Sequence, residues 1–353
     1  MQTTIPPHTY YYPYELDSFA ITGLTGDVQV QIIILPDTTI LSATLTPDAT
    51  GRLTFTDMGH YLSERITAAT LGTFDPARLQ IIAGSQTLAD LTVFPCTAPL
   101  TVTADDLLTH NFLTPAVAGP KLIPITAEQE LLTWYVDQPT EADHIHISAQ
   151  WLDTTTARRC QMDYNIPPSR GTDYIKQADV APHHLAAPTL PGTWQLAQYQ
   201  VTLGSRIMTY HIAPHGATAQ TTPTTLTFRN IFGHLDTFYL YGTTTIEAKP
   251  TYTSARIDGL TRNYQVDINP TYKCDTGHMP LGSYTLLTDL ITARHIWHDG
   301  QPITLTEAEV KPTTSPHDLR TATITYRHAT DHITHTHMLP ASTFDQSFDR
   351  TFN

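Results

Sequence analysis

The sequence predicts a mainly β, multi-domain protein made of sandwich-like units that carry one or two short helices. Three observations predict it. Threonine supplies roughly 18% of the 353 residues, several times its usual share, and a β-branched residue with a hydroxyl suits the solvated face of a strand. Threonine and other polar residues alternate with apolar ones at close to period two, the side-chain period of a half-buried strand. Finally, the chain is longer than one ordinary core organises, so two or three units are expected, and turn residues punctuate the strand-like runs throughout.

The first unit is expected over residues 1–115. Phe19–Ile21, Val28–Leu35, Ile40–Leu45 and Leu53–Phe55 read as strands, separated by Pro36-Asp37, Pro47-Asp48 and Thr50-Gly51. One helix interrupts them. Asp57 is a candidate cap, and Met58, Tyr61, Leu62 and Ile66 follow at helical spacing on one face. Leu79–Ile82 and Leu88–Phe94 resume the strand pattern. Residues 115–121, Pro-Ala-Val-Ala-Gly-Pro-Lys, read as a linker.

A second β-rich unit is expected over 122–213. Its strands are Glu130–Val136, His144–Ile147 and a long hairpin from Trp194 to Ile212, and the Pro- and His-rich stretch Pro182–Pro191 reads as a loop. Pro214–Thr225 offers no core positions and reads as a second linker. The third unit, 226–353, contains Thr227–Asn230, Phe238–Thr245 and the alternating Tyr264–Ile268, then a helical pattern at Tyr284, Leu286, Leu287, Leu290 and Ile291. His295–Trp297 and Ile303–Leu305 flank Asp299-Gly300, a strong hairpin signal. Ala322–Tyr326 is the closing strand, and a tail follows it.

Composition excludes several functions. A net charge of −14, with 19 basic residues scattered along the chain, does not fit a phosphate-neutralising nucleic-acid surface. No apolar run approaches the length of a membrane-spanning helix, and the start, Met1–Pro7, lacks the basic and apolar regions of a secretory signal. Synthesis in the cytoplasm without a signal peptide is therefore expected, with carriage on a virion as a further expectation. Cys96, Cys160 and Cys274 are odd in number and far apart, as expected of reduced thiols. Charged residues are only 15%, so faces rich in Thr, Gln and Ser can meet another protein without stripping water from a charge.

No nucleophile elbow, zinc-protease, phosphate-loop or dinucleotide motif occurs, so no catalytic residue and no cofactor is assigned, and Glu307 and Glu309 read as a solvated strand edge. His144 and His146, two apart on a strand, are the metal-ligand candidates, with His332, His335 and His337 as a second cluster; a metal-dependent hydrolase is the third-ranked function. Tyr10, Tyr11, Tyr12 and Tyr14 are candidate stacking platforms or protein anchors, which makes a carbohydrate- or cell-surface-binding module the second. Trp134, Trp151, Trp194 and Trp297 read as core. Phe344, Phe348 and Phe352 recur in a Phe-Asp tail at a four-residue step and form a candidate docking stripe.

Phe228-Arg229-Asn230-Ile231-Phe232-Gly233, Thr237-Phe238, Arg262-Asn263-Tyr264, the Leu-rich helix, Asp299-Gly300 and the Phe-Asp tail together resemble proteins encoded by phages and prophages of Bacteroidetes gut bacteria. Gly51-Arg52-Leu53 before the first helix is a looser echo. The resemblance implies a structural component of a tail or baseplate, with other structural proteins or further copies of itself as partners. It implies no site residues. The first-ranked function is accordingly a non-enzymatic structural protein.

Overall fold

The computed structural model describes residues 1–36, 38–137, 144–213, 223–257, 260–311 and 320–329. The described chain is mostly strand, in several sheets, with three α-helices.

Residues 1–95 form a two-sheet sandwich. Strands β1 (Gln2–Thr3), β3 (Phe19–Thr22) and β6 (Leu53–Phe55) make one sheet; β2 (Tyr10–Tyr11), β8 (Gln86–Val93), β7 (Ala77–Ala83), β4 (Val28–Ile34) and β5 (Thr38–Leu45) make the other, in that spatial order. The alternation read from sequence is the alternation of burial. Val28, Val30, Ile32 and Ile34 of β4 point inward and meet Leu79, Ile81 and Ala83 of β7 in one core with Phe19, Ile21 and Phe55 from the opposite sheet. Helix α1 (Met58–Ala69) adds Leu62 and Ile66 to that core.

Its cap differs from the expectation. Asp57 has a left-handed backbone (φ 57°) and caps nothing with its side chain; Asp17 does so from a distance, accepting from the Gly59 N–H at 2.8 Å. The cause is the short 3₁₀ turn at Pro13–Leu16, which packs on α1 and places Asp17 over the helix's first turn.

Helix α2 (Ala104–His110), absent from the sequence reading, begins at Thr103, whose hydroxyl accepts from the Asp106 N–H. Beyond it, β12 (Arg159–Ile166), β11 (Ile145–Asp153), β15 (Trp194–Leu203), β16 (Arg206–Ile212) and β9 (Lys121–Ile123) form a five-stranded sheet, and β10 (Leu131–Tyr135), β14 (Ile175–Asp179) and β13 (Arg170–Gly171) a three-stranded one. The last sheet has seven strands in the order β18 (Leu235–Leu240), β17 (Thr224–Arg229), β21 (Ile296–His298), β22 (Gln301–Lys311), β23 (Thr321–His328), β20 (Leu260–Asp275) and β19 (Thr244–Ile257). Helix α3 (Leu281–Thr292) buries Leu286, Leu287 and Leu290 beneath it. The strand expected over Phe238–Thr245 is broken at residues 241–243, where the chain turns from β18 into β19. The Asp299-Gly300 hairpin forms as expected, with φ of 50° and 74°, the positive pair that a primed turn needs.

Residues 112–212 and 224–326 do not have separate cores. One apolar cluster runs from Phe112 through Trp134, Ile147 and Tyr210 to Phe228, Leu287 and Tyr326. The expected linker at 115–121 is correspondingly packed: Ala116 and Lys121 are buried, and Thr285 donates to the Pro115 carbonyl at 3.0 Å. Two glycines permit this approach. A Cβ on Gly282 would lie 2.2 Å from the Gly119 carbonyl oxygen.

Candidate functional site

The most unusual surface is a β-ribbon. β19 and β20 pair antiparallel from Thr244↔Cys274 to Ile257↔Leu260, with one bulge between Thr253 and Ser254. β20 touches β23 only over Tyr272–Asp275, and β19 lies at the sheet edge, so beyond Glu247↔Thr271 the ribbon has no neighbouring strand among the described residues. Its eleven residues from 247 to 257 extend about 35 Å at ~3.3 Å per residue.

Along β19, Ile246, Ala248, Pro250 and Tyr252 alternate with Thr245, Glu247, Lys249, Thr251 and Thr253. The register sets Tyr272, Pro270, Ile268 and Val266 opposite the first group, and Lys273, Thr271, Asn269, Asp267 and Gln265 opposite the second. Residues directly opposite share a face, so Ile246 and Ala248 lie with Tyr272 and Pro270 on one side of the ribbon, and Glu247 and Lys249 with Thr271 and Asn269 on the other. The apolar residues of β19 are not covered: Ile246 is 61% and Tyr252 58% exposed, and Ala248 and Pro250 are exposed between them. A solvated two-stranded ribbon is marginally stable alone, and a contiguous exposed apolar row marks an interaction surface. Residues 244–275 contain four basic and four acidic groups, so the remainder of the chain carries the entire net charge of −14.

The tyrosine run lies elsewhere and is occupied. Tyr11 is 3% exposed in the first core and donates to the Pro6 carbonyl at 2.7 Å; Tyr12 is 1% exposed and packs toward Phe232. Tyr10 stacks edge-on with Phe94 and Tyr135, bonds Asp137, and accepts from the Tyr135 hydroxyl at 2.9 Å, while half-buried Tyr14 donates to the Thr97 carbonyl. Burial pushes the Tyr10 and Tyr12 phenols up. Tyr11 belongs to the core of the first sandwich, whereas Tyr10 and Tyr12 pack in a separate apolar cluster with Phe94, Leu107, Tyr135 and Phe232, which joins the first sandwich to the later sheets. Tyr11 and Tyr12 are thereby corrected as stacking platforms, because consecutive tyrosines here face two different cores.

Beneath that junction is a buried triad. Lys121 Nζ lies 2.5 Å from Glu130 Oε1 and 2.9 Å from Asp236 Oδ1, with all three side chains at most 5% exposed. Thr114 donates to Asp236 Oδ2 at 2.6 Å, and the Tyr239 hydroxyl to Glu130 Oε2 at 3.2 Å. Burial pushes Glu130 up to about 7 against the pull of Lys121; burial also opposes the Lys121 charge, but Asp236 and Glu130 outweigh it and hold that ammonium above its usual pKa. The triad joins β9 to β18 and has no solvent access for substrate.

A cleft of about 450 Å³ lies between α1, residues 97–99, the 229–233 turn and the end of α3. Several of its groups are engaged: Arg294 pairs with Glu64 at 3.2 Å, Arg229 covers the Phe74 ring, and Ser63 donates to the Cys96 carbonyl at 2.8 Å, whereas the buried Thr67 hydroxyl has no partner among the described residues. Asp289, pushed up to about 7 by burial, accepts from the Ile231 N–H at 3.1 Å. The Ser63 hydroxyl donates its proton to a backbone carbonyl, a contact that does not activate it as a nucleophile.

His144 and His146 are both exposed, and His146 Nε2 lies 3.6 Å from Asp163 Oδ1. Among the described residues they gather no third ligand; the three-donor group is instead Asp179, at the end of β14, with His183 and His184 from the Pro182–Pro191 stretch that the sequence presents as a loop. The available signal was an acid at a strand end four residues before a His pair. Trp134 and Trp151 are core, and Cys96, Cys160 and Cys274 are free thiols, with burial pushing Cys96 up to about 12. Phe344, Phe348, Phe352, His332, His335 and His337 lie outside the described residues. No helix among the described residues is long and apolar enough to cross a membrane.

Fold and site together define a multi-sheet β-protein with a projecting amphipathic ribbon. No protein family, no curated protein and no solved structure matches this chain.

Proposed function

We propose that the chain is a non-enzymatic structural protein that assembles with further copies of itself through the β19–β20 ribbon, as a tail or baseplate component of a phage or prophage particle. The observation that carries the reading is the exposed row Ile246, Ala248, Pro250 and Tyr252 on a ribbon with no neighbouring strand. Two such rows packed face to face form a two-layer contact that hides both from water, with the polar rows outward. The second copy is the occupant that the charges favour. A ribbon of zero net charge approaches its equivalent without the repulsion that two bodies of −14 exert elsewhere. Prolines at 250 and 270 interrupt the hydrogen-bonding edges, which directs association to the face. The resemblance to phage and prophage structural proteins supplies the setting.

Size-exclusion chromatography with light scattering tests this on the full chain. The 39.2 kDa protein is expected to give multiples of its mass, rising with concentration. Ile246→Lys with Tyr252→Lys is expected to return it to the monomer with an unchanged melting temperature, since both positions are exposed. A wild type that stays monomeric at hundreds of micromolar, or oligomers that survive the double substitution, would overturn self-assembly through the ribbon.

A further inference from the structure

Asp179 ends β14, and one 3₁₀ turn, Pro182–His184, brings His183 and His184 back beside it. The frame is rigid. Val180, Ala181, Pro182 and Leu185 are buried on either side of the exposed His pair, and the turn is closed by His184 N–H to Ala181 O at 3.1 Å and Leu185 N–H to Pro182 O at 3.0 Å.

The carboxylate is aimed as well. Asp179 Oδ1 accepts from the Glu130 and Ala181 N–H groups at 2.9 and 3.1 Å, which fixes the side chain and leaves Oδ2 pointing at His184 Nε2, 3.5 Å away. The two imidazoles lie 3.9 Å apart between centroids at 42° to one another, which keeps both rings beside the carboxylate. One ligand atom from each of the three residues falls within 4.8 Å of the others. A tetrahedral zinc ion with bonds of about 2.0–2.1 Å sets its ligand atoms roughly 3.3 Å apart, so closure needs at most about 1.5 Å of movement from exposed imidazoles.

We propose that Asp179, His183 and His184 form a binding site for one divalent transition-metal ion of the zinc type, with water or a donor from outside the chain completing its coordination. Two nitrogens and one carboxylate oxygen select zinc, nickel or copper over magnesium or calcium, which take oxygen ligands in larger number. The backbone N–H pair on Asp179 Oδ1 supplies the outer hydrogen bonds that orient a ligating carboxylate. The site is independent of the ribbon.

Calorimetric titration of the tag-free full chain with zinc alone is the test. Wild type is expected to show a stoichiometric micromolar site that is weakened at least about 30-fold in His183→Ala/His184→Ala and retained in His144→Gln/His146→Gln, while magnesium gives no heat at that site. The metal-free melting temperature is expected to stay the same in the His183/His184 variant, both side chains being exposed. Asp179→Asn provides the second variant, because its amide oxygen can still accept from both N–H groups while the anionic ligand is lost. Absence of micromolar zinc binding, or a titration identical in wild type and the His183/His184 and Asp179 variants, would overturn the proposal.

Discussion

Replacing Lys121 with Met isolates the buried triad. The methionine fills most of the volume of the lysine stem but leaves Glu130 and Asp236, both nearly inaccessible to water, without their cation. Removing one partner of a buried ion pair costs about 3–5 kcal/mol, because the surviving charge keeps its desolvation penalty. The loss must depend on pH. Glu130 is pushed up to about 7 from an ordinary value near 4.5. Between those values the folded chain holds a proton that the unfolded chain has released, so this group's stabilisation is full below about 4.5 and falls as pH rises toward 7, by about 3 kcal/mol in all. Without Lys121 the folded value rises further, and the loss extends above pH 7. Urea unfolding followed by the fluorescence of the buried Trp134, which lies in the same core, reads the difference. The variant is expected to be about 3–5 kcal/mol less stable at pH 8 and roughly half that at pH 5.5, where Glu130 is protonated and one carboxylate remains unpaired. A loss below about 1 kcal/mol at pH 8, or one indifferent to pH, would refute the assignment of the triad as a buried charge cluster.

Three further substitutions probe the joints between elements. Gly282→Ala is expected to lower stability by about 2 kcal/mol or more in thermal melts, since its Cβ would meet the Gly119 carbonyl at 2.2 Å and push α3 off the 115–119 segment; a neutral effect would mean that the approach is not tight. Asp17→Ala is expected to cost about 1–2 kcal/mol by removing the acceptor at the start of α1, whereas Asp57→Gly should be neutral or slightly stabilising, because Asp57 caps nothing and sits at φ 57°; the reverse ranking in urea midpoints would restore Asp57 as the cap.

Local chemistry was legible in the sequence where the chain's neighbours in space were also its neighbours in order. Val28–Ile34 announces its inward face through period two, and Asp299-Gly300 announces its turn through the two residues that tolerate positive φ. The shared core was not legible, because what joins its halves is Lys121 meeting Asp236 across 115 positions, and no local pattern encodes that pairing. The same limit misplaced the cap of α1, which comes from Asp17, 42 residues before Gly59. The ribbon was half legible: the alternation at Tyr264–Ile268 announced part of β20, but β19 was expected to end at Thr245, and an apolar row waiting for a partner reads the same as one already covered. The tyrosines misled for a related reason, since exposure is decided by a junction that sequence does not display.

The common core of residues 112–326 also sets an order of events on the ribosome. The first sandwich draws all its buried residues from the opening 93 positions and can close as soon as they emerge. The next hundred residues cannot do the same. Lys121 and Glu130 are made long before Asp236, and Trp134 long before Leu287, so that stretch waits, partly uncovered, until α3 and β23 have been synthesised. A chain cut after residue 213 would therefore be half a fold, and an early stop codon would yield one intact sandwich trailing a segment exposed to proteases.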